Sequence, residues 1–104
     1  MNALFGPAGS SEDFLKKYKS SKDMPAYLEQ LGLDAFEYQC GQGVRVTDAS
    51  AAALNSEAQK HGIKLSLHSP YFISLSSVEE QKRDNSIDYI LQSCRAAQKI
   101  GADR

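Results

Sequence analysis

The chain has 104 residues, 41% hydrophobic and 24% charged, with a formal net charge of −1. That length leaves room for at most one domain, and the hydrophobic content excludes a segment held disordered by its own charge. A charge this close to zero gives no overall basic footprint of the kind nucleic-acid-binding domains carry, and no apolar run approaches the roughly 18 residues of a membrane span.

The first apolar segment, Ala3-Leu-Phe-Gly6, reads as a buried strand closed by glycine and proline. A short amphipathic turn over Ser11–Tyr18 follows it. Asp23-Met-Pro25 then opens a helix with a cap residue and an early proline, and Gly32 closes it. The second strand is predicted over Ala35–Cys40. Thr47-Asp48 starts a helix that runs through a group of alanines to His61 and stops at Gly62. The third strand is Ile63–His68. Ser77-Val-Glu-Glu80 has the spacing of a capping box and predicts the start of the last helix. The stripe Ile87, Ile90, Leu91, Cys94 and Ala97 has helical periodicity and is expected to pack on the sheet.

The order helix, glycine, strand repeats. It appears in Gln30-Leu-Gly-Leu-Asp-Ala-Phe36 and in Lys60-His-Gly-Ile-Lys-Leu65, and it begins again in Lys99-Ile-Gly-Ala-Asp-Arg104. Strands alternating with helices predict a parallel sheet. The expected fold is therefore α/β, about three βα units of a (β/α)8 barrel that needs about 250 residues when complete. Residues 1–104 read as the N-terminal portion of that domain, truncated before strand four. The open strand edges and uncovered face of such a fragment predict self-association into a homo-oligomer.

Alternation within the strands sorts their side chains. Phe36, Tyr38 and Cys40 fall on one face and Glu37 and Gln39 on the other, while Leu65 and Leu67 oppose Ser66 and His68. An apolar face turned to helices and a polar face turned inward suit a barrel lumen. Cys40 and Cys94, with no signal peptide ahead of them, read as reduced core thiols, and a soluble cytoplasmic protein is expected.

Site candidates follow from position. His68 ends the third strand, at the end of a barrel where active sites lie, and reads either as a metal ligand or as a satisfied core histidine. Glu37 and Gln39 share its face and could orient or assist it, or could be ordinary hydrogen-bonded polar residues. Tyr71 and Phe72, after Pro70, could stack on a base or sugar or fold down onto the barrel rim. Arg45, in a glycine-containing loop after the second strand, is a phosphate contact or a solvated charge. His61, in the last turn of its helix, reads as structural because the helix dipole favours a cation there. No C-x-x-C, H-E-x-x-H or G-x-S-x-G motif is present, and no catalytic residue is assigned.

The segment His68-Ser-Pro-Tyr-Phe-Ile-Ser-Leu-Ser76, with the following helix and the Ile100-Gly-Ala-Asp103 ending, resembles the endonuclease IV family of apurinic/apyrimidinic endonucleases. These belong to the wider xylose isomerase-like barrels. The resemblance implies that His68 binds metal, zinc or another divalent ion. It also implies that Tyr71 and Phe72 enter the duplex at an abasic site, and that the parent enzyme hydrolyses DNA phosphodiesters in repair. The family's histidine in the first βα segment has no counterpart in Phe5-Gly-Pro-Ala-Gly9, and its arginine-bearing loop is matched only loosely by Gly41-Gln-Gly-Val-Arg45. The remaining metal ligands of the family would lie beyond residue 104, so the fragment itself is expected to be inactive. Two other readings stand beside this one: a metal-dependent isomerase or epimerase acting on a small sugar, and a non-enzymatic, self-associating barrel fragment.

Overall fold

In the computed structural model, which describes residues 3–104, two five-residue strands carry the sheet. β1 (Ala35–Gln39) and β2 (Lys64–His68) run parallel, with Phe36 opposite Leu65 and Gln39 opposite His68. Residues 5–9 lie along the other edge of β1. The Phe5 carbonyl accepts from the Asp34 and Ala35 amides at 2.8 and 3.2 Å, the Pro7 carbonyl accepts from Glu37 N at 3.0 Å, and Gly9 N donates to Glu37 O at 3.0 Å. Only Ala8 opposite Glu37 forms a regular bridge.

The predicted strand over residues 3–6 is thus displaced and incomplete, and its physical cause is Pro7. In a parallel ladder the next bond toward the N-terminus would run from residue 7 N–H to Ala35 O, and proline has no N–H to give. Gly6 compensates by letting the backbones approach: a Cβ there would lie 1.6 Å from Ala35 O.

Among the described residues four α-helices flank the strands, two before β1, one between β1 and β2 and one after β2. α1 (Glu12–Lys17) is capped by Ser11, whose side chain accepts from Phe14 N. A 3₁₀ turn at Ser21–Asp23 leads into α2 (Met24–Gln30), with Pro25 in its first turn. Asp23 makes no side-chain cap bond there. α3 (Asp48–His61) is capped by Thr47, which accepts from Ser50 N, and ends at Gly62 with φ of 68°. That left-handed conformation is the one glycine adopts without strain, so the chain can turn at once into β2.

α4 (Glu80–Ile100) departs from expectation in two ways. It starts at Glu80 rather than Ser77, with Glu79 as its cap residue. Ser77 Oγ takes the nearer Glu79 N at 3.2 Å instead of an amide three residues on. The face turned to the core also differs. Ser86, Ser93, Ala96 and Ile100 are buried, whereas of the predicted stripe Ile87, Leu91 and Cys94 are exposed and Ile90 and Ala97 are half-buried. The two serines tolerate burial because each hydroxyl donates to the carbonyl four residues back, Lys82 and Tyr89, at 2.8 Å. Their small side chains also let the helix approach closely.

Phe14, Met24, Leu28, Ala51, Leu54, Ala58 and Ile100 from the four helices form one buried cluster with Phe36, Ile63 and Leu65. All the helices therefore cover one face of the sheet. His61 fastens the ends of α2 and α3, its ring nitrogens bonded to Glu29 and to Glu57. After α4, Gly101 turns the chain back and the Arg104 carbonyl accepts from Leu67 N at 2.8 Å, on the free edge of β2. The architecture is that of consecutive βα units of a TIM barrel.

Substitution of Gly6 by alanine is expected to destabilise the protein by more than about 3 kcal/mol, because backbone on both sides must move. Gly32→Ala, where φ is 73° and nothing lies within 4 Å of the added methyl, should cost only about 1–2 kcal/mol of conformational strain. Urea unfolding of the two variants checks this ranking.

Candidate functional site at the carboxyl ends of the strands

Period-two alternation turns Phe36, Tyr38, Leu65 and Leu67 toward the helices, where they join or pack against the core. It turns Glu37, Gln39, Ser66 and His68 to the opposite face. Register places Glu37 beside Ser66 and Gln39 beside His68, so the two strands present a polar patch whose upper row lies at their carboxyl ends. In a barrel this face lines the lumen and this end is the mouth.

His68 is exposed, and its Nδ1 lies 2.7 Å from the Ser69 carbonyl. A carbonyl can only accept, so Nδ1 carries a proton, and in the neutral ring the lone pair is then on Nε2. This is the tautomer of a histidine ready to bind a cation through Nε2. Gln39 leans the other way along the mouth: a Cβ on Gly9 would meet its Oε1 at 3.1 Å. Glu37 sits one step below on the same face. Its backbone, through Pro7 O and Gly9 N, holds the residue 5–9 segment in place. Arg45 is exposed on the loop that follows β1.

The loop after β2 carries the aromatic pair. Tyr71 is 77% exposed, and its ring meets that of Phe72 edge-on at 5.6 Å. Phe72 in turn meets Tyr89 of α4 edge-on at 4.8 Å. The loop backbone is tied to the same helix, with Ser74 N donating to Ser86 Oγ at 2.8 Å and Arg83 Nη1 to Ser77 O at 2.7 Å. Neither Ser86 nor Tyr89 is a candidate from the sequence. A trace of them was present in the seven-residue spacing of Ser86 and Ser93, which marks a second, small-residue stripe on the helix.

The structure thus brings His68, Gln39 and Glu37 onto one face, and sets Tyr71 and Phe72 on the loop leaving it. As to metal, the free Nε2 of His68 fits the role of one ligand. Among the described residues no three His, Cys, Asp or Glu side chains gather into a group able to hold an ion.

The cysteines divide. Cys40 is buried beyond the end of β1 and Cys94 is exposed on α4, which corrects the expectation that both are core residues; both are free. Burial pushes the Cys40 thiol up from its ordinary value. Burial, with a smaller contribution from Cys40, pushes the Tyr38 phenol up. Both belong to the helix-facing side, so neither is a nucleophile for the polar patch.

A parallel sheet with helices on one face and a polar mouth at its carboxyl ends defines a barrel of the TIM class. Residues 25–104 match the family described as the xylose isomerase-like TIM barrel, and the chain belongs to that family. It is also 31% identical over 101 residues to the uncharacterized protein MJ0133 of Methanocaldococcus jannaschii, an alignment covering 94% of this chain and 34% of the relative. The chain spans about a third of the length of the curated relative it matches. No helix among the described residues is long and apolar enough to cross a membrane.

The raised Cys40 thiol sets a pH dependence. Above about 8.5 the unfolded chain loses this proton while the folded state keeps it, so the folded state binds more protons there. Stability is complete below that pH and declines as pH rises toward the folded value; Tyr38 acts in the same direction above about 10. Urea midpoints are expected to fall as pH rises above about 8.5, and Cys40→Ala should flatten the first part of that decline.

Proposed function

We propose that this chain forms the opening βα units of a metal-dependent phosphodiesterase that cuts DNA at abasic sites, in the manner of endonuclease IV. The observation that carries this reading is the pairing of His68, its Nε2 free at the end of β2, with an exposed Tyr71 three residues further on. His68 is one ligand for zinc or another divalent ion, and the other ligands come from barrel strands outside this chain. When bound, such ions supply Lewis-acid activation of a phosphodiester.

This chain's own residues do the rest. The Ser69 carbonyl fixes the imidazole tautomer, and Glu37 and Gln39 line the polar patch beside His68. Tyr71 and Phe72 enter the stack where a nucleotide lacks its base and has little stacking to lose. Arg45 reaches toward a backbone phosphate.

A second reading is supported by the polar patch itself. Glu37, Gln39 and Ser66 offer acceptors and donors for hydroxyl groups, and a net charge of −1 suits a small neutral sugar better than a polyanion. The reaction would then be isomerisation or epimerisation with the same His68-bound metal.

The test uses a protein of the relative's full length that carries this chain, loaded with zinc or manganese. It is expected to nick a duplex containing a tetrahydrofuran abasic-site analogue. His68→Ala should lower the rate at least about 100-fold, and Tyr71→Ala should weaken duplex binding about tenfold, the scale of one stacked base. Intact abasic duplex together with turnover of an aldose or ketose would replace the nuclease reading by the isomerase one.

A further inference from the structure

We infer that Ser86 and Tyr89 are positioning residues, acting from α4 to hold the loop after β2 so that Tyr71 stands at the barrel mouth. This rests on the reading above that the mouth is where substrate binds. It goes beyond it in assigning a task to two residues that touch no substrate.

The loop from Ser69 to Glu79 belongs to no helix or strand of the described residues, yet three side chains of the first turns of α4 tie it down. Ser86 is 3% exposed, and its hydroxyl bonds both ways: it donates to Lys82 O and accepts from Ser74 N, both at 2.8 Å. One hydroxyl has a single proton, so with Lys82 O taking it the Ser74 amide must be the donor to its oxygen. The two bonds make one continuous link from helix to loop. Tyr89, three residues on and therefore on the same face, places its ring 4.8 Å from that of Phe72. Phe72 then carries Tyr71 at 5.6 Å. Arg83 closes the far end of the loop on Ser77 O.

The arrangement is ordered by exposure. Ser86 is buried, Phe72 is 39% exposed and Tyr71 is 77% exposed. A ring that stands out this far has little of its own to lean on. Its place is set by Phe72 behind it and by the loop backbone, and both of those are held by α4. Exposed aromatic groups bind best when their conformational freedom is already restricted before the ligand arrives. Ser86 and Tyr89 supply that restriction without entering the polar patch around His68.

The test compares the full-length protein with Ser86→Ala, Tyr89→Leu and the conservative Tyr89→Phe. Hydrogen exchange is read over residues 69–79 and, as an internal reference, over residues 90–100. Michaelis constants and metal-free binding are measured on the abasic duplex. The expected result is exchange of the loop amides about tenfold faster in Ser86→Ala and Tyr89→Leu, with the reference helix unchanged. KM should rise about tenfold while kcat stays within about twofold. Tyr89→Phe, which keeps the ring, should behave as the parent. Unchanged loop exchange would overturn the inference, and so would a loosened loop with no change in KM or binding. If the parent protein ignores abasic DNA, the nuclease reading fails separately. The loop-exchange comparison and KM for the sugar substrate then decide the positioning role.

Discussion

The parallel pairing of β1 with β2 is the constraint on which the rest depends. Both strands alternate apolar and polar residues, so a slip of one residue in either would carry Glu37 or His68 into the helix-covered core and bring Phe36 or Leu65 out of it. Bonds beyond each end of the pairing fix the register, with Lys64 N on Asp34 O and Cys40 N on His68 O, both at 2.9 Å. The apolar half of the alternation then recruits residues from all four helices into one cluster. The polar half is left to form the candidate site. Core and site are two faces of a single register.

Much of this was readable in the sequence, for reasons that differ by element. β1 and β2 have an unbroken period of two, and α3 has both a side-chain cap at Thr47 and a left-handed glycine at Gly62. Local chemistry and tertiary packing agree there, so reading either is enough. The segment before Gly9 is different. Its apolar residues, Leu4 and Phe5, are exposed, and its pairing begins where Pro7 and Gly6 make the ladder irregular. Hydrophobicity pointed to residues 3–6, whereas backbone donors decide where pairing occurs. At Ser77 the capping-box spacing was present, but the residue satisfied a nearer amide and the helix began three residues later.

The candidate site divides along the same line. His68, Glu37 and Gln39 were legible as members of one face because alternation plus parallel pairing determines which side chains become neighbours. Tyr71 and Phe72 stood out as aromatic residues in a loop at the correct end of a strand. What the sequence did not reveal is how that loop is held. Ser86 and Tyr89 lie 15 and 18 positions beyond Tyr71 on a helix, and nothing local links them to it. Their relation to the loop exists only once α4 has been laid against the sheet.

α4 shows why that placement was hard to foresee. The helix carries two stripes, a strongly apolar one through Ile87, Leu91 and Cys94 and one of small residues, Ser86, Ser93 and Ala96, that ends in the core residue Ile100. Periodicity assigns the core to the first, because each large apolar side chain gains roughly 1.5–3 kcal/mol on full burial. The second nevertheless faces inward. Burying a serine has a low cost once its hydroxyl bonds the preceding turn, since it then leaves no unsatisfied group behind. A small side chain also draws the helix toward the β2 loop by the width of the methyl groups it lacks. At that distance Ser86 reaches Ser74 and Tyr89 reaches Phe72; a helix standing off on Ile87 and Leu91 would turn both away from the loop. The choice of stripe therefore trades some apolar burial for a floor beneath the mouth of the barrel, and the same packing that seats α4 on the sheet orders the loop that carries Tyr71.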